Sequence, residues 1–211
     1  MSKGPLFSVV TVTLNCADDA VRTAQSVLSQ DFTDYEYIVK DGGSQDGTVE
    51  RLSELGVAVV QKHDEGIYDA MNQALSLCQG EYVYFLNAGD TFFDNHVLSN
   101  VAAQLDPAAA IVYGGVMLQP WGRRVTYPPT LTPYYLFKKN ICHQAWFARR
   151  DVYTNLGGFI VKSPLSTLRH PISADQEFLW RVLLRERLTA QRIDGILANF
   201  QYGGYSTRRN M

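Results

Sequence analysis

No run of 18 or more apolar residues occurs in this 211-residue chain, so no segment has the length to span a bilayer as a helix. The N-terminal MSKGPLFSVV passes directly into strand-like sequence without the apolar core of a signal peptide. The expectation is a cytoplasmic protein with at most peripheral membrane association. Cysteine is scarce: Cys16, Cys78 and Cys142 are an odd number, with no CxxC pair and no metal-ligand spacing. They read as reduced, packed thiols rather than a disulfide framework or a zinc site. Neither sign of charge is in excess, since 19 Lys plus Arg face 21 Asp plus Glu for a net charge of -2. That balance removes any electrostatic case for nucleic acid as the main partner. A GxGxxG fingerprint is also missing, because the first apolar run leads into Asn15-Cys16-Ala17-Asp18-Asp19. A dinucleotide oxidoreductase would need that glycine-rich turn to admit a pyrophosphate at a helix N-terminus.

What is present is 46% hydrophobic residues, enough to bury a sizeable core as one domain over residues 1–211. Apolar runs rich in β-branched and aromatic residues alternate with helix-length segments, the pattern of a parallel sheet with crossover helices. Residues 7–14 predict a buried first strand. Asp18 or Asp19 then caps a helix with Val21, Ala24, Val27 and Leu28 on one face. Residues 35–40 predict a second strand ending in the turn Asp41-Gly42-Gly43-Ser44, and Asp46 caps a short helix through Leu55. A third strand follows over 57–61, a helix over 66–77 with Ile67, Ala70, Met71, Ala74 and Leu75 toward the sheet, and a fourth strand over 82–86. Beyond Asp90 the pattern predicts a helix near 95–105 and a strand over 109–118. The Pro-rich stretch 120–133 cannot continue a central strand. The order suggests a nucleotide-binding half, 1–92, fused to an acceptor-binding half, 93–211.

The chemistry-bearing segments are SVVTVTLN at 8–15, VKDGGSQDGT at 39–48, EYVYFLNAGD at 81–90 and SADQEFLWR at 173–181. Most place small or acidic residues just past an apolar run, where open α/β sheets bind ligands beyond the carboxyl ends of their strands. Asp41, at a strand end before two glycines, can accept hydrogen bonds from a base imide or a ribose hydroxyl. The same Asp-Gly sequence also suits a turn in which Asp41 bonds its own backbone. Thr11, Val12, Thr13 and Asn15 end the first strand beside it, and main-chain groups of Val12 and Thr13 are candidates for the base. A threonine-rich strand needs no ligand to explain it. Together the segments point to a nucleotide-sugar site.

These segments resemble the large family 2 glycosyltransferases, which implies a GT-A fold, a Rossmann-like and mostly parallel central sheet flanked by helices. The run DEGIYDAMNQALSLCQGEYVYFLNAGD at 64–90 is similar to bacterial polysaccharide-assembly members of the colanic acid type, and HQAWFARRDVY at 143–153 and YGGYST at 202–207 recur in that subgroup. The resemblance implies sugar transfer from a nucleotide sugar, preferably a UDP-sugar, to a saccharide or lipid-linked acceptor with inversion. It implies the nucleotide role for Asp41 with Gly42, and for Asn87, Ala88 and Gly89. Family members hold Mn or Mg with an Asp-x-Asp motif at the end of the fourth strand. Here Asn87-Ala88-Gly89-Asp90 keeps only the last carboxylate. One carboxylate, diphosphate oxygens and water are adequate ligands for such a hard cation. The competing role for Asp90 is a turn residue capping the next helix.

The resemblance further places a general base at Asp175, at the start of a helix anchored by Phe178, Leu179, Val182 and Leu183. Such a base takes the proton of the acceptor hydroxyl as it attacks the anomeric carbon. The alternative is an N-cap, with Ser173 competing for that job, and Glu177 is a second choice that helical spacing turns away. His143 is a candidate for metal, diphosphate or acceptor, against a core histidine. Gln144, Tyr68, Ser206 and Arg208 are further diphosphate or acceptor candidates. The tail Gly203-Gly204-Tyr205-Ser206-Thr207-Arg208-Arg209 suits an anion lid or a frayed basic terminus. Trp146 and Phe147 read as core, Arg149 and Arg150 as a solvated face. The rival from another class is a degenerate transferase kept as a nucleotide sensor or scaffold. The thinned metal motif favours it, and the retained Asp175 opposes it.

Overall fold

The structure, a computed structural model, describes residues 4–161 and 173–201. Among the described residues nine strands, numbered β1 to β9 in chain order, pair into one sheet of order β3-β2-β1-β4-β8-β6-β9-β5, with β7 hairpinned to β6. The first half is a parallel βαβ array: β1 (Phe7–Thr13), α1 (Ala17–Leu28), β2 (Tyr35–Asp41), α2 (Thr48–Glu54), β3 (Val59–Gln61), α3 (Ile67–Leu75) and β4 (Tyr82–Phe85). All seven residues of β1 are buried, as a strand between two parallel neighbours and under helices on both faces must be. Its parallel partners β2 and β4 align Thr13 with Asp41 and Val10 with Phe85. The catalogue of strand-end residues therefore converges on one edge.

The second half holds β5 (Thr91–Phe92), α4 (Val97–Gln104), β6 (Ile111–Gln119), β7 (Arg123–Val125), α5 (Pro133–Lys138), β8 (Trp146–Arg149), α6 (Arg150–Leu156), α7 (Ala174–Trp180) and β9 (Ala190–Gln201). β8 runs antiparallel between β4 and β6, and β9 lies parallel to β6. Six strands thus share one direction and β5, β7 and β8 oppose it. The sequence pattern did not signal β5, β8 or β9. β9 passes through Asp194-Gly195 as an irregularity, with Gly195 at φ +126 and register shifts opposite Tyr113 and Gly115. A glycine bulge lets a strand continue where its sequence looks broken.

Aromatic stacking joins the halves. Tyr84 stacks on Phe147 at 4.2 Å and on Phe92 at 5.4 Å, while Phe178 of α7 stacks between Tyr153 at 4.5 Å and Trp146 at 5.9 Å. Full burial of Phe178 stabilises the seat of α7 by roughly 1.5–3 kcal/mol. Trp146 and Phe147 are core, as their sequence suggested. Among the described residues no helix is long and apolar enough to cross a membrane.

The helix starts depart from expectation. Cys16, not Asp18 or Asp19, precedes α1, and no side chain of its own segment caps it. Leu28 is exposed, and the buried face is Ala17, Ala20, Thr23, Ala24 and Val27. The missing cap comes from the next loop: Asp46 Oδ2 accepts the Ala17 N–H at 2.9 Å while its Oδ1 accepts from Thr48 at the start of α2. One carboxylate satisfies orphan donors of two helices. Asp46→Ala is therefore expected to lower stability by about 1–2 kcal/mol in urea unfolding. A loss under about 0.5 kcal/mol would mean that water replaces it at both ends.

Candidate active site

Three strand ends and two helices meet at the carboxyl edge of the sheet. Asp41 is fully buried at the end of β2. Its Oδ1 accepts the N–H groups of Gly43 and Ser44, both at 2.8 Å, and the Gln61 amide at 3.2 Å, and its Oδ2 accepts the Ser44 hydroxyl. Burial pushes the carboxyl up, but the bonds from Ser44, Gly43 and Gln61 outweigh it and hold Asp41 below the usual carboxylate range. An ionised carboxylate thus shapes the turn. Thr13 O accepts the Gly42 N–H at 3.0 Å and Val12 O the Ala88 N–H at 3.3 Å, so both carbonyls offered to a base already bind protein. Thr11 is likewise engaged, its hydroxyl donating to Leu86 O at 2.8 Å and accepting from Tyr37 at 3.0 Å. Asn15, at φ +49, bridges to the same loop through Ser44 and Gln45.

Beyond β4 the turn from Asn87 to Asp90 closes with the Asp90 N–H on Asn87 O at 3.0 Å. Gly89 sits at φ +104, a conformation that favours glycine, and donates its N–H to Thr23. Asp90 is buried, with Oδ1 accepting the Gln201 N–H at 2.8 Å and Oδ2 accepting the Gln144 amide. Burial dominates here and pushes its pKa up to about 6.

A short 3-10 turn, His143–Ala145, sets His143 between Asn87 and Asp175. The Asn87 Nδ2 group, which only donates, lies 2.9 Å from His143 Nε2. The other ring nitrogen, Nδ1, faces Asp175 Oδ2 at 3.7 Å. Asp175 is buried in the first turn of α7, and its Oδ1 accepts the Tyr68 hydroxyl at 3.2 Å and the Gln176 N–H at 3.0 Å. Burial raises its pKa, but His143, Ser173 and the Gln176 N–H more than offset it. Asp175 is thus ionised at neutral pH, and Tyr68, desolvated and beside that charge, is held neutral far above its ordinary pKa. Glu177 turns away to pair with Arg181 at 2.7 Å.

The profile of the family described as Glycosyl transferase family 2 matches residues 8–160. The chain belongs to that family. A PGL/p-HBAD biosynthesis glycosyltransferase of Mycobacterium bovis is 31% identical across 96% of this chain and 79% of its own length. A putative teichuronic acid biosynthesis glycosyltransferase of Bacillus subtilis is 30% identical over 98% and 82%. Among solved structures, Staphylococcus aureus TarS in complex with UDP-GlcNAc superposes with a TM-score of 0.75 at 20% identity, covering 92% of this chain and 58% of that one. The mannosyltransferase PcManGT of Pyrobaculum calidifontis, in complex with GDP-Man and Mn2+, gives 0.73 at 18%, covering 98% and 60%. The chain spans less than two thirds of either structure. The fold is GT-A, and the protein is a glycosyltransferase.

In this glycosyltransferase the two oxygen donors of the β4 turn suited to a hard cation are the Asp90 carboxylate and Asn87 Oδ1, which is buried with no hydrogen-bond partner. Among the described residues no three His, Cys, Asp or Glu stand together as a metal site. The residues fit a cation that takes its remaining ligands from a diphosphate and water. His143 has its two ring nitrogens turned to Asn87 and Asp175. Ser206 and Arg208 lie outside the described residues. Sequence reasoning missed Lys40, a fully buried lysine ion-paired to Asp64 beneath the Asp41 turn. A Cβ on Gly42 would come within 2.8 Å of Asp64 Oδ2. The available signal was a lysine at the buried end of a strand, which must be paired.

Proposed function

We propose that this glycosyltransferase moves a sugar from a UDP-sugar to a hydroxyl of a saccharide or lipid-linked acceptor, with inversion, and that Asp175 is its general base. The observation that carries this reading is the convergence of Tyr68, Asn87, Asp90, His143, Gln144 and Asp175 from four separate segments at the carboxyl edge of the sheet. The half up to residue 92 holds the nucleotide and residues 93–211 the acceptor. The acceptor hydroxyl gives its proton to Asp175 as its oxygen forms a bond to the anomeric carbon, and the bond from that carbon to the diphosphate oxygen breaks on the opposite face. Tyr68 and the Gln176 N–H hold the carboxylate in place, and the neighbouring His143 favours its ionised form. Mn or Mg, held by Asp90 with the Asn87 oxygen, would neutralise charge growing on the departing diphosphate.

A thermal-shift experiment tests the donor assignment, since a ligand that binds only the folded state raises the melting temperature. UDP with Mn is expected to stabilise the protein, and Asp41→Asn to remove most of that gain. The asparagine keeps an oxygen for Gly43 and Ser44, so the turn survives while the charge is lost. Stabilisation by GDP but not by UDP would overturn the uridine assignment.

A further inference from the structure

α5 presents two large rings to solvent next to paired lysines. Tyr134 is 74% and Phe137 62% exposed, three residues apart on one face, and Lys138 and Lys139 follow at once, both exposed. Among the described residues neither lysine takes part in an ion pair. Pro133 at the helix start and the Thr132 side chain accepting the Tyr135 N–H make the short helix rigid, while Leu136 turns inward. α5 is also bolted to α7: Leu136 O accepts from Gln176 Nε2 at 3.2 Å and Trp180 Nε1 at 3.1 Å, and Phe137 packs on Trp180 at 4.7 Å. Gln176 is the residue after Asp175. A fixed aromatic face thus lies within two side chains of the candidate base.

We propose that this face docks the protein on an anionic membrane surface. Amphipathic rings rest at the headgroup level of a bilayer, and adjacent lysines are drawn to acidic lipids. The charge decides between occupants, because a two-fold interface with a second copy would gather four lysines without ion-pair partners of their own into one contact, whereas an acidic leaflet complements them. Docked this way, α5 would bring the edge carrying Asp175 to the plane where a lipid-anchored hydroxyl resides. The docking itself does not depend on the donor reading, and its test contains no nucleotide sugar.

The experiment is co-sedimentation of the full chain with vesicles of phosphatidylcholine alone and of phosphatidylcholine with about one third phosphatidylglycerol, at low and high salt. The expected result is binding to the acidic vesicles at least roughly tenfold stronger than to the neutral ones, and weakened by salt. Tyr134→Ser with Phe137→Ser, and separately Lys138→Glu with Lys139→Glu, should each lower partitioning by roughly tenfold or more. Leu28→Ser, at an exposed apolar position on α1, should change nothing, and circular dichroism should show every variant folded. Equal binding to both vesicle types, no binding to either, or equal loss in the Leu28 control would overturn the proposal. So would a dimer in vesicle-free solution that the Tyr134 and Phe137 changes dissociate, since the face would then belong to a second copy.

Discussion

Asp175→Asn is expected to leave UDP-sugar affinity unchanged and to lower transfer by roughly 10² to 10⁴, the contribution typical of a positioned base. The amide oxygen can still accept from Tyr68 and the Gln176 N–H, which hold Oδ1 at 3.2 and 3.0 Å. Its nitrogen then faces His143 Nδ1 across 3.7 Å, beyond hydrogen-bond contact. α7 keeps its seat through Phe178, so the fold should be retained. What disappears is the capacity to take a proton at neutral pH. Donor affinity by calorimetry and transfer, or donor hydrolysis in its place, separate the two effects. Transfer at the unsubstituted rate would remove Asp175 as the base. An unsubstituted protein that binds UDP but neither transfers nor hydrolyses would instead support the sensor reading.

The second large effect concerns Asp90 in the metal-free protein. Its folded-state pKa lies at about 6 against 3.8 for the ordinary carboxyl, with burial as the leading cause. Because the folded value is raised, the protonated form is the stabilising one. Its contribution is complete below pH 3.8 and is lost as pH rises through about 6. A rise of about two pH units corresponds to at most about 3 kcal/mol. Asp90→Asn cannot ionise, so it is expected to melt roughly 4–8 °C higher at pH 7.5 and to show a flatter stability profile between pH 4 and pH 7. Re-pairing needs only rotation of the Gln144 amide, whose Oε1 otherwise accepts the Cys142 thiol. The same variant should lose the extra stabilisation that Mn gives in the presence of UDP. Calorimetric melting across that pH range decides it, and an unchanged slope would place the buried charge elsewhere.

The contrast between Asp90 and Asp175 shows why burial alone does not assign a role. Both carboxylates are buried to a similar degree, 6% and 5% exposed, yet their pKa values move in opposite directions. Asp90 meets one backbone N–H and a neutral amide, and desolvation wins. Asp175 has a histidine, a serine and a backbone N–H around it, and these prevail. Two carboxylates at one edge are thereby set to different protonation equilibria.

Much of the parallel half was legible because a βαβ array writes itself locally: apolar runs of strand length, helical spacing such as Ile67, Ala70, Met71 and Ala74, and turn residues at the strand ends. The places of Asp41, Asn87 and Asp90 at strand ends were legible because strand-end position is a local property. The sequence by itself therefore determined the βαβ order and the acidic residues placed at the carboxyl edge of the sheet. Only the tertiary structure decided which of them meet. Nothing near His143 or Tyr68 in sequence announces Asp175, at 32 and 107 positions away, and the cap of α1 is lent by Asp46 from another loop. β8, four residues long, is a strand because β4 and β6 leave a gap in the ladder that it fills, not because its own pattern demands it. Periodicity records which side of an element faces the core; pairing across the chain depends on register and packing, which no local window contains.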